Sequence, residues 1–559
     1  MSPRIKRLIG KLIPKANKKE DLARPNNQTE PDRRVYRNED LAKITVSSSL
    51  LVNLDRLKRI FGQNADVIFR QFRLGLAEQT EAAIIHIESM CDKALINNDV
   101  LKPMMLFSQE VGYHLNRPNL LKLVKDFIVT TTDLQEAHNL AELVNAILYG
   151  KVVILIDGQD TALILGLQGW SARNITEPTS ETVVRGPREG FVETLSTNLS
   201  LIRRRVQSPN LVFERLNIGR VTSTPVMISY IKGITSPDLV AEVKRRLQRI
   251  DLDAIIESGA LEELIEDAPF SPFPTVLHTE RPDMVASALI EGRVAILTEG
   301  TPFALIVPAD FFFLLQSPED YSTRFVYATV IRWLRYLGMF TALLLPSLYI
   351  AVTTFHQEMI PTRLLLSIAA AREGVPFPAL LEALIMELAF EAIREAGIRL
   401  PRQVGQAVSI VGALVLGQAA IQASIVSPLM VIVVALTGIA SFMMPIFTIS
   451  FPLRLMRFGF MLLAGILGLF GIIVGFLAVL IHLAGLRSFG MPYLAPLAPL
   501  HGSDLKDVLI RAPIWAMNRR PTETAKTNQQ RQVPGLKPSP AQPNKGQKRR
   551  GGQTNNNDQ

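Results

Sequence analysis

The chain has 559 residues, a formal net charge of +9 and a hydrophobic content of 48%. This length exceeds one ordinary domain, and the apolar content is high enough to indicate a membrane portion. The single cysteine, Cys91, excludes an intramolecular disulfide and a multi-cysteine zinc site. Much of the positive charge lies in the two ends of the chain and no nucleic-acid motif is present, so we predict no nucleic-acid partner.

Charge and hydropathy divide the chain into a soluble zone, an apolar zone and a polar tail. The basic start has no unbroken apolar run of the kind found in secretory signals, so we expect the soluble zone to stay in the cytosol. The predicted domains are a basic, disordered segment (1–44), a first lobe (45–170), an Arg/Glu-rich linker (171–209), a second lobe (210–335), a helical transmembrane domain (336–500) and a basic, mostly disordered tail (501–559).

Two segments of the soluble zone align without gaps: GKVVILIDGQDTALIL begins at Gly150, and GRVAILTEGTPFALIV begins at Gly292. In both, a β-rich run meets an acidic residue and a glycine, which is typical of a hairpin turn. Each hairpin follows a helical pattern that ends in glycine, the usual helix stop. The predicted fold class is an α+β cytosolic region of two related α/β lobes, followed by an α-helical polytopic membrane domain.

The linker between the lobes carries arginines close to glutamates. An arginine fork can bind phosphate or an acidic lipid, but we favour a linker that forms salt bridges between domains or subunits. The residues concerned are Arg185, Arg188, Arg203, Arg204 and Arg205, with Glu177, Glu181, Glu189 and Glu193.

Four apolar runs are each about as long as the ~20 residues that span a hydrocarbon core. Arginines precede three of these runs, and positive residues favour the cytoplasmic side. If all the arginine clusters lie inside, the chain must cross back before the second run, and only PFPALLEALIMELAFEAIREAGIRLP, helped by LLLSIAAA, can do so. The runs are 336–355, 404–423, 427–449 and 458–484, and the arginines are Arg332, Arg335, Arg394, Arg399, Arg402, Arg454 and Arg457.

The end of the membrane zone must bring the tail back to the cytosol. The segment RSFGMPYLAPLAPL, at 487–500, is short and broken by prolines, so we expect a kinked or re-entrant return crossing there. A tail on the outer side of the membrane is the alternative.

The segment expected to cross back is a helix that begins near Ala379 and contains four glutamates. Glu387, Glu391 and Glu395 lie four residues apart on one stripe, and Glu382 is displaced around the helix. A carboxylate inside a membrane is costly unless it faces water or a cation, and rings of carboxylates select cations. We therefore predict that the stripe lines an ion path, with Glu382 as a further candidate. The alternative is a helix lying flat at the cytoplasmic interface, with its glutamates in water or paired with Arg394 and Arg399 and the return crossing made elsewhere.

Small residues at four-residue spacing indicate close helix packing in the membrane zone. Gly471 and Gly475 form a GxxxG pair in the last apolar run, and Ala413 and Gly417 form a similar pair in the second. Such pairs let helix backbones approach each other, within a bundle or between subunits.

The common catalytic signatures are missing from the sequence. The chain has no GxxxxGK[ST] phosphate loop, no GxSxG elbow, no HExxH and no CxxC pair. We therefore predict that the protein is not an enzyme, and we predict no cofactor and no metal site.

Long stretches of the chain resemble one known family. These are ERPDMVASALIEGRVAILTEGTPFALIVPADFFFLLQSPEDY, EPTSETVVRGPREGFVETLSTNLSLIRRR and PFPALLEALIMELAFEAIREAGIRLPRQVGQAVSIVGALVLGQAAIQASIVSP. They resemble the A subunits of bacterial spore germinant receptors, the GerA family, from about residue 45 to residue 500. The resemblance implies a subunit of the spore inner membrane, in contact with lipid, that works with a transporter-like B subunit and a lipoprotein C subunit. It also implies that A subunits self-associate into an ion-conducting ring that responds to nutrients.

Two functions from different classes are thus expected. The first is a nutrient-gated cation channel subunit that triggers spore germination. The second is a membrane-anchored scaffold or signalling protein of the same receptor complex that conducts nothing.

Overall fold

The computed structural model describes residues 35–74, 80–105, 120–125, 133–169, 178, 181, 183 and 185–539. Most of the segment predicted to be disordered, 1–34, lies outside these residues. The rest of that segment, 35–44, packs against the first lobe. Its short helix, Asn38–Ala42, buries Leu41 in the core of this lobe.

The first lobe is an antiparallel five-stranded sheet with helices packed on it. The strand order is β1-β2-β4-β5-β3, and the predicted hairpin is the β4–β5 pair. The elements are α1 (Leu50–Phe61), β1 (Val67–Leu74), β2 (Thr80–Ile87), β3 (Leu134–Ala137), α2 (Leu140–Leu148), β4 (Val152–Ile156) and β5 (Ala162–Leu165).

The second lobe repeats this arrangement, with the order β6-β7-β9-β10-β8 and the predicted hairpin as the β9–β10 pair. Its first helix, α3, lies within the segment that we assigned to the linker, so the lobe begins earlier than expected. The elements are α3 (Leu195–Arg205), β6 (Leu211–Ile218), β7 (Thr224–Ile231), α4 (Pro237–Gln248), α5 (Ser258–Ile265), β8 (Leu277–Thr279), α6 (Pro282–Ile290), β9 (Val294–Thr298) and β10 (Ala304–Val307).

The acidic residue in each hairpin turn has the same role in both lobes. In the first lobe, the Asp157 carboxylate accepts a hydrogen bond from the backbone N–H of Leu50, at the start of α1. In the second, the Glu299 carboxylate accepts one from Leu195, at the start of α3. The first N–H groups of a helix have no partner within the helix, so the turn caps the helix that packs beside it. This shared bond confirms that the lobes are related.

The second lobe lies between the first lobe and the helical region. At its β6 edge, the Phe213 carbonyl accepts a hydrogen bond from the N–H of Ala65 in the first lobe. At its opposite edge, His278 of β8 lies 3.1 Å (Nε2 to Oγ1) from Thr448 in the helical region. The second lobe therefore contacts the first lobe at one edge of its sheet and the helical region at the other edge.

The helical region is a bundle. Helices cover all four apolar runs and the glutamate segment, and the prediction of a helix from Ala379 is confirmed. Among the described residues, two helices, α7 and α12, are long and apolar enough to cross a membrane. The helices are α7 (Phe325–Thr354), α8 (Thr362–Arg372), α9 (Ala379–Arg399), α10 (Arg402–Gln422), α11 (Pro428–Ser441) and α12 (Phe447–Gly485).

The last helix is a hairpin of two halves. Gly468 has a φ of 62° and a ψ of −141°, which no α-helical residue adopts. Beyond it, a Cβ on Gly471 would lie 2.3 Å from the carbonyl oxygen of Leu463, and one on Gly475 would lie 3.0 Å from the ring of Phe460. These approaches are impossible in a straight helix, so residues 469–485 fold back along residues 447–467.

Neighbouring segments of the bundle alternate in direction. We name the end beside His278 and Thr448 the lobe end, and the end where Gly468 meets Phe355 and His356 the far end. α7 runs to the far end and α9 returns, since Leu380 lies beside Gly465 near the far end of α12. α10 then runs out, α11 returns, and the two halves of α12 run out and back.

The predicted return crossing over 487–500 is wrong, because the second half of α12 already brings the chain back. The short hairpin β11 (Arg487–Ser488) and β12 (Met491–Pro492) lies against the second lobe. There the Ser488 hydroxyl accepts a hydrogen bond from the N–H of Ala309 and donates one to the carbonyl of Thr275.

The tail is ordered as far as it is described, contrary to the expectation of disorder. In residues 501–539, Thr524 donates a hydrogen bond to the Glu291 carbonyl at the end of α6. Arg332 of α7 bonds the carboxylate of Asp507 (3.2 Å), which also accepts a bond from the Tyr321 hydroxyl (2.7 Å). This segment therefore joins the second lobe to the base of α7. Residues 540–559 lie outside the described residues.

Short helical turns complete the described elements. They are Lys93–Leu95, the π-helix Ile96–Leu101, Leu120–Leu123, Phe313–Leu315, Glu319–Ser322, Gln357–Met359, Asp504–Asp507 and Ile514–Ala516.

Candidate functional site

The glutamate helix α9 lies inside the bundle, in contact with α7, α10, α11 and α12. Pro378 precedes it and Pro401 follows it, so proline bounds the helix at both ends. Its 21 residues span about 32 Å at 1.5 Å per residue, which is the thickness of a bilayer core.

Glu387 forms a buried ion pair in the middle of the bundle. Its carboxylate accepts a hydrogen bond of 2.6 Å from Arg457 of α12, and the two side chains are 0% and 1% exposed. Arg457 also donates a 2.7 Å bond to the carbonyl of Ala342 in α7. That carbonyl has no donor in its own helix, because the residue four positions later is Pro346. Arg457 thus satisfies the carbonyl that the proline leaves free, and Glu387 neutralises Arg457.

Glu391 bridges two arginines nearer the lobe end. One carboxylate oxygen lies 3.2 Å from Arg394 of the same helix, and the other lies 2.9 Å from Arg454 of α12. Arg394 also donates a 2.9 Å hydrogen bond to the hydroxyl of Ser441, at the end of α11. Together with the Glu387–Arg457 pair, this cluster holds three cations and two carboxylates, so its formal charge is positive.

The other two glutamates lie in opposite environments. Glu382 is fully buried near the far end, where it accepts a hydrogen bond of 2.8 Å from the N–H of Ser427 and pairs with Arg372 at 3.2 Å. Glu395 is 60% exposed at the lobe end and pairs with Arg399, one turn further along α9. The residue that we expected to point elsewhere, Glu382, is therefore as buried as Glu387.

The predicted stripe of carboxylates rotates from the inside of the bundle to its surface. Residues four apart advance by 400° around an α-helix, so each step turns the side chain by about 40°. Glu387 is buried, Glu391 is half-buried and Glu395 is exposed. The structure therefore places only the last of the three on the outer face of the bundle.

Sequence reasoning named Arg394 and Arg399 as partners only for the alternative of a flat helix, and both pairs are present. It missed the arginine partners from other helices, because the positive-inside pattern treats arginines as free interfacial charges. Five of the seven arginines in the three clusters are almost fully buried in ion pairs. They are Arg332, Arg335, Arg394, Arg454 and Arg457. Pro346 inside an apolar run is the signal that a free carbonyl, and hence a polar partner, is needed there.

The small residues predicted to pack helices together are mostly buried within the chain. Gly471 and Gly475 are buried and bring the two halves of α12 together. Gly417 is buried beside Val431 of α11, whereas Ala413 is exposed on the outer face of α10. Three of the four residues therefore pack within one chain.

A second polar group lies in the second lobe beside the bundle. The Thr279 hydroxyl donates a 2.6 Å hydrogen bond to Glu181, and burial raises the pKa of this carboxyl to about 7. Glu262 lies 3.4 Å from the neighbouring His278 and raises the pKa of its imidazole. Glu181 and His278 thus form a titratable pair of side chains at the junction with α12, and both have a raised pKa.

Comparison with known proteins identifies the family. Residues 55–523 match the family model described as Bacillus/Clostridium GerA spore germination protein. The chain is 46% identical to spore germination protein KA of Bacillus subtilis (strain 168), over 89% of this chain and 91% of that protein. It is 39% identical to spore germination protein GerLA of Bacillus cereus, over 86% of this chain and 96% of that protein.

A solved structure is also similar. The crystal structure of the N-terminal domain of the A subunit of the Bacillus megaterium spore germinant receptor GerK3 is 35% identical, with a TM-score of 0.38. The match covers 48% of this chain and 97% of that one. The family model and the full-length relatives, which extend through both lobes and the bundle, show that the chain belongs to the GerA family of spore germination proteins.

Proposed function

We propose that this chain is the membrane subunit of a spore germinant receptor and that copies of it assemble into a nutrient-gated cation channel. The observation that carries the membrane role is the surface of α12. In its most apolar stretch of 18 residues only 28% of the residues are buried. The core helix of a soluble protein hides its apolar side chains, whereas a large exposed apolar surface indicates lipid or partner contact.

The alternating directions of the bundle support an inner-membrane location with the lobes in the cytosol. An even number of crossings returns the C-terminal segment to the side of the lobes, where Asp507 bonds Arg332. We propose that the helices from α7 to α12, apart from α8, make these crossings. Helix α9 is too polar and helix α11 is too short to be recognised as a span by composition alone.

The ion path is proposed to lie between copies of the chain. Within one chain, Glu382 and Glu387 are buried and neutralised by Arg372 and Arg457. Glu395 lies on the outer face of α9, on the same exposed stripe as Leu381 and Leu388. A ring of copies that joins these faces would place one exposed carboxylate per subunit beside a shared path, where it would attract cations.

Glu387 and Glu391 reach such a path only if α9 turns when the channel opens. We propose that they remain candidates for the conducting state, while Glu395 is the candidate in the state described. The transporter-like and lipoprotein subunits are proposed as partners, on the basis of the GerA family resemblance. We also propose that the chain has no enzymatic activity.

The second candidate function is a non-conducting scaffold of the same receptor. The specific observation in its favour is that each of the four glutamates of α9 has an arginine partner in the same chain. Carboxylates that each have an arginine partner need no bound cation, and such pairs hold the helices of the bundle together. Ion flux separates the two functions.

The test is cation flux through purified protein in liposomes, with and without the partner subunits and nutrient. We expect Glu395→Gln to lower cation flux or cation selectivity, because it removes an exposed charge and keeps the side-chain volume. We expect Glu382→Gln, at the far end, to leave selectivity unchanged. Unaltered flux in Glu382→Gln, Glu387→Gln, Glu391→Gln and Glu395→Gln, or no flux from the wild type in the complete complex, would favour the scaffold.

A further inference from the structure

Exposed aromatic side chains collect at the lobe end of the bundle. Aromatic rings are enriched where a membrane helix passes from hydrocarbon to headgroups. At the start of α7, Trp333 is 55% exposed, and its indole N–H donates to the carbonyl of Leu509. The other exposed rings at this end are Phe325, Tyr327, Phe442, Phe447 and Phe451. These rings mark the boundary at which the proposed membrane begins.

One loop of the second lobe lies at the same level. Residues 268–274 read APFSPFP, and the ring of Phe270 is 100% exposed, with Pro269 and Pro272 also exposed. Between them, the Ser271 hydroxyl lies 2.9 Å from His482 Nε2, in the last turn of α12. This contact fixes the height of the loop, because His482 is three residues from the end of the helix.

The neighbourhood of the loop is apolar on the bundle side. In the same turns of α12, Ile481 is 73% exposed and Leu480 is 39% exposed. On the other side, Phe273 is buried and packs its ring 6.2 Å from that of His482. Phe273 therefore anchors the loop to the bundle, while Phe270 is left fully exposed next to Ser271, which contacts the last turn of α12.

No side chain in the described part of the protein covers Phe270. A whole phenyl ring left in water is unfavourable, and the two flanking prolines limit the ways in which the loop can hide it. The charges next to the loop in sequence are acidic: Glu266 and Asp267, of which Asp267 is paired with Arg246 and accepts a hydrogen bond from the N–H of Phe489. The loop itself carries no charged side chain, so a contact made by Phe270 is apolar.

We propose that the loop 268–274 inserts Phe270 into the interfacial layer of the bilayer and holds the second lobe against the membrane. The occupant of this surface is the lipid itself, at the boundary between headgroups and acyl chains. This inference rests on the proposed membrane location of the bundle. It adds a contact between the lobe and the bilayer that is independent of the covalent connection through α7.

The experiment places a nitroxide spin label at position 270 by Phe270→Cys in the full chain, reconstituted in liposomes. The native Cys91 is buried and burial raises its pKa to about 12, so the thiolate needed for labelling is scarce at neutral pH. Unmodified protein controls for residual labelling. Collision with oxygen reports contact with lipid, and collision with a water-soluble nickel chelate reports contact with water.

Two matched sites calibrate the measurement. Leu462→Cys labels the exposed face of the first half of α12, and Leu51→Cys labels an exposed position in the first lobe. We expect oxygen to dominate at 462, nickel to dominate at 51, and position 270 to show the reduced nickel access of an interfacial site. Adding salt should leave the result at 270 unchanged, because the contact is apolar.

The outcomes separate this inference from the function on which it rests. Nickel access at 270 equal to that at 51, with 462 protected, would overturn the inserted loop and leave the membrane bundle intact. Low access to both reagents at 270 would also overturn it and indicate a protein partner. Nickel access at 462 would refute the membrane location itself.

Discussion

The two lobes have the same strand order, yet their equivalent edge strands face different surroundings. In the first lobe, β3 exposes Gln135 and Glu136, and Glu136 pairs with Lys125 at 2.8 Å. In the second, Leu277 and Thr279 of β8 are buried beneath the bundle and the linker. An open edge needs charge to prevent unwanted pairing, whereas a covered edge can carry apolar residues. The duplicated scaffold is thus specialised at its edges.

The first helix of each lobe shows a second difference at equivalent positions. In α3, Arg203 is 0% exposed and donates three hydrogen bonds to the carboxylate of Asp66 and the side chain of Asn64, in the first lobe. The equivalent position in α1 is Lys58, which is exposed. The salt-bridge role expected for the linker arginines is therefore found at Arg203, which joins the lobes.

The largest expected effect is at this asymmetric pair of positions. Arg203→Met leaves the buried carboxylate of Asp66 without its cation, and breaking a buried ion pair in this way costs about 3–5 kcal/mol. Lys58→Met, at the equivalent exposed position, should change the free energy of unfolding by less than about 0.5 kcal/mol. Thermal unfolding of the full chain measures both.

A third variant tests the cause. Arg203→Met combined with Asp66→Leu removes both charges and should recover much of the loss, since an unpaired charge is the main cost. Equal losses for Arg203→Met and Lys58→Met would contradict the idea that the lobes are joined asymmetrically by this pair.

The repeat of the lobes was predictable because its signals are local. An acidic residue and a glycine between two β-rich runs define a hairpin wherever they occur, and a glycine after a helical pattern ends the helix. The asymmetry was not predictable, because Arg203 and Lys58 look alike in sequence. What distinguishes them is Asp66, which lies 137 positions away from Arg203.

The same limit applies to the glutamate helix. Its presence and its start follow from Pro378 and the apolar spacing, and its direction follows from the count of crossings. The partner of Glu387 could not be predicted, because Arg457 lies in another helix, 70 positions later in the chain. The break at Gly468 could not be predicted either, because glycine is common in apolar helices. Only the close approach of Gly471 to Leu463 shows that the chain turns there.

The second prediction concerns a buried asparagine that has the same hydrogen bonds in both lobes. Asn53 of α1 is 2% exposed, accepts a hydrogen bond from the N–H of Ser47 and donates one to its carbonyl. Asn198 of α3 is also 2% exposed and makes the same two bonds with Val192. We expect Asn53→Ala and Asn198→Ala to cost about 1–3 kcal/mol each, because each leaves two backbone groups unsatisfied.

Hydrogen exchange of the full chain measures where each loss occurs. Each variant should increase exchange at its own helix, α1 or α3, and at the loop before it. Replacement by aspartate keeps the acceptor but turns a carboxylate oxygen toward the backbone carbonyl, so Asn53→Asp and Asn198→Asp should lose at least as much stability as the alanine variants at neutral pH. Unequal effects in the two lobes would mean that the shared geometry hides different energetics.

The last prediction is that the stability of the two lobes depends on pH in opposite directions. Burial raises the pKa of Glu181 in the second lobe from its ordinary 4.5 to about 7, while burial lowers the pKa of His86 in the first lobe below its ordinary 6.5. Between pH 4.5 and 7 the folded second lobe keeps a proton that the unfolded chain releases, so its stability falls as pH rises. His278, whose pKa is raised mainly by Glu262, changes stability in the same direction.

The first lobe responds with the opposite sign. Below pH 6.5 the unfolded chain protonates His86 while the folded lobe resists, so stability rises with pH until about 6.5 and is complete above it. The pKa of Glu181 shifts to about 7, so its effect on the free energy of unfolding is expected to be about 1–3 kcal/mol, and the effect of His86 is expected to have the opposite sign. Unfolding of the full chain between pH 4.5 and 8 should then give difference curves against wild type that slope in opposite directions for Glu181→Gln and His86→Gln. Parallel slopes would show that the two lobes, despite their different edges, respond to protons as one unit.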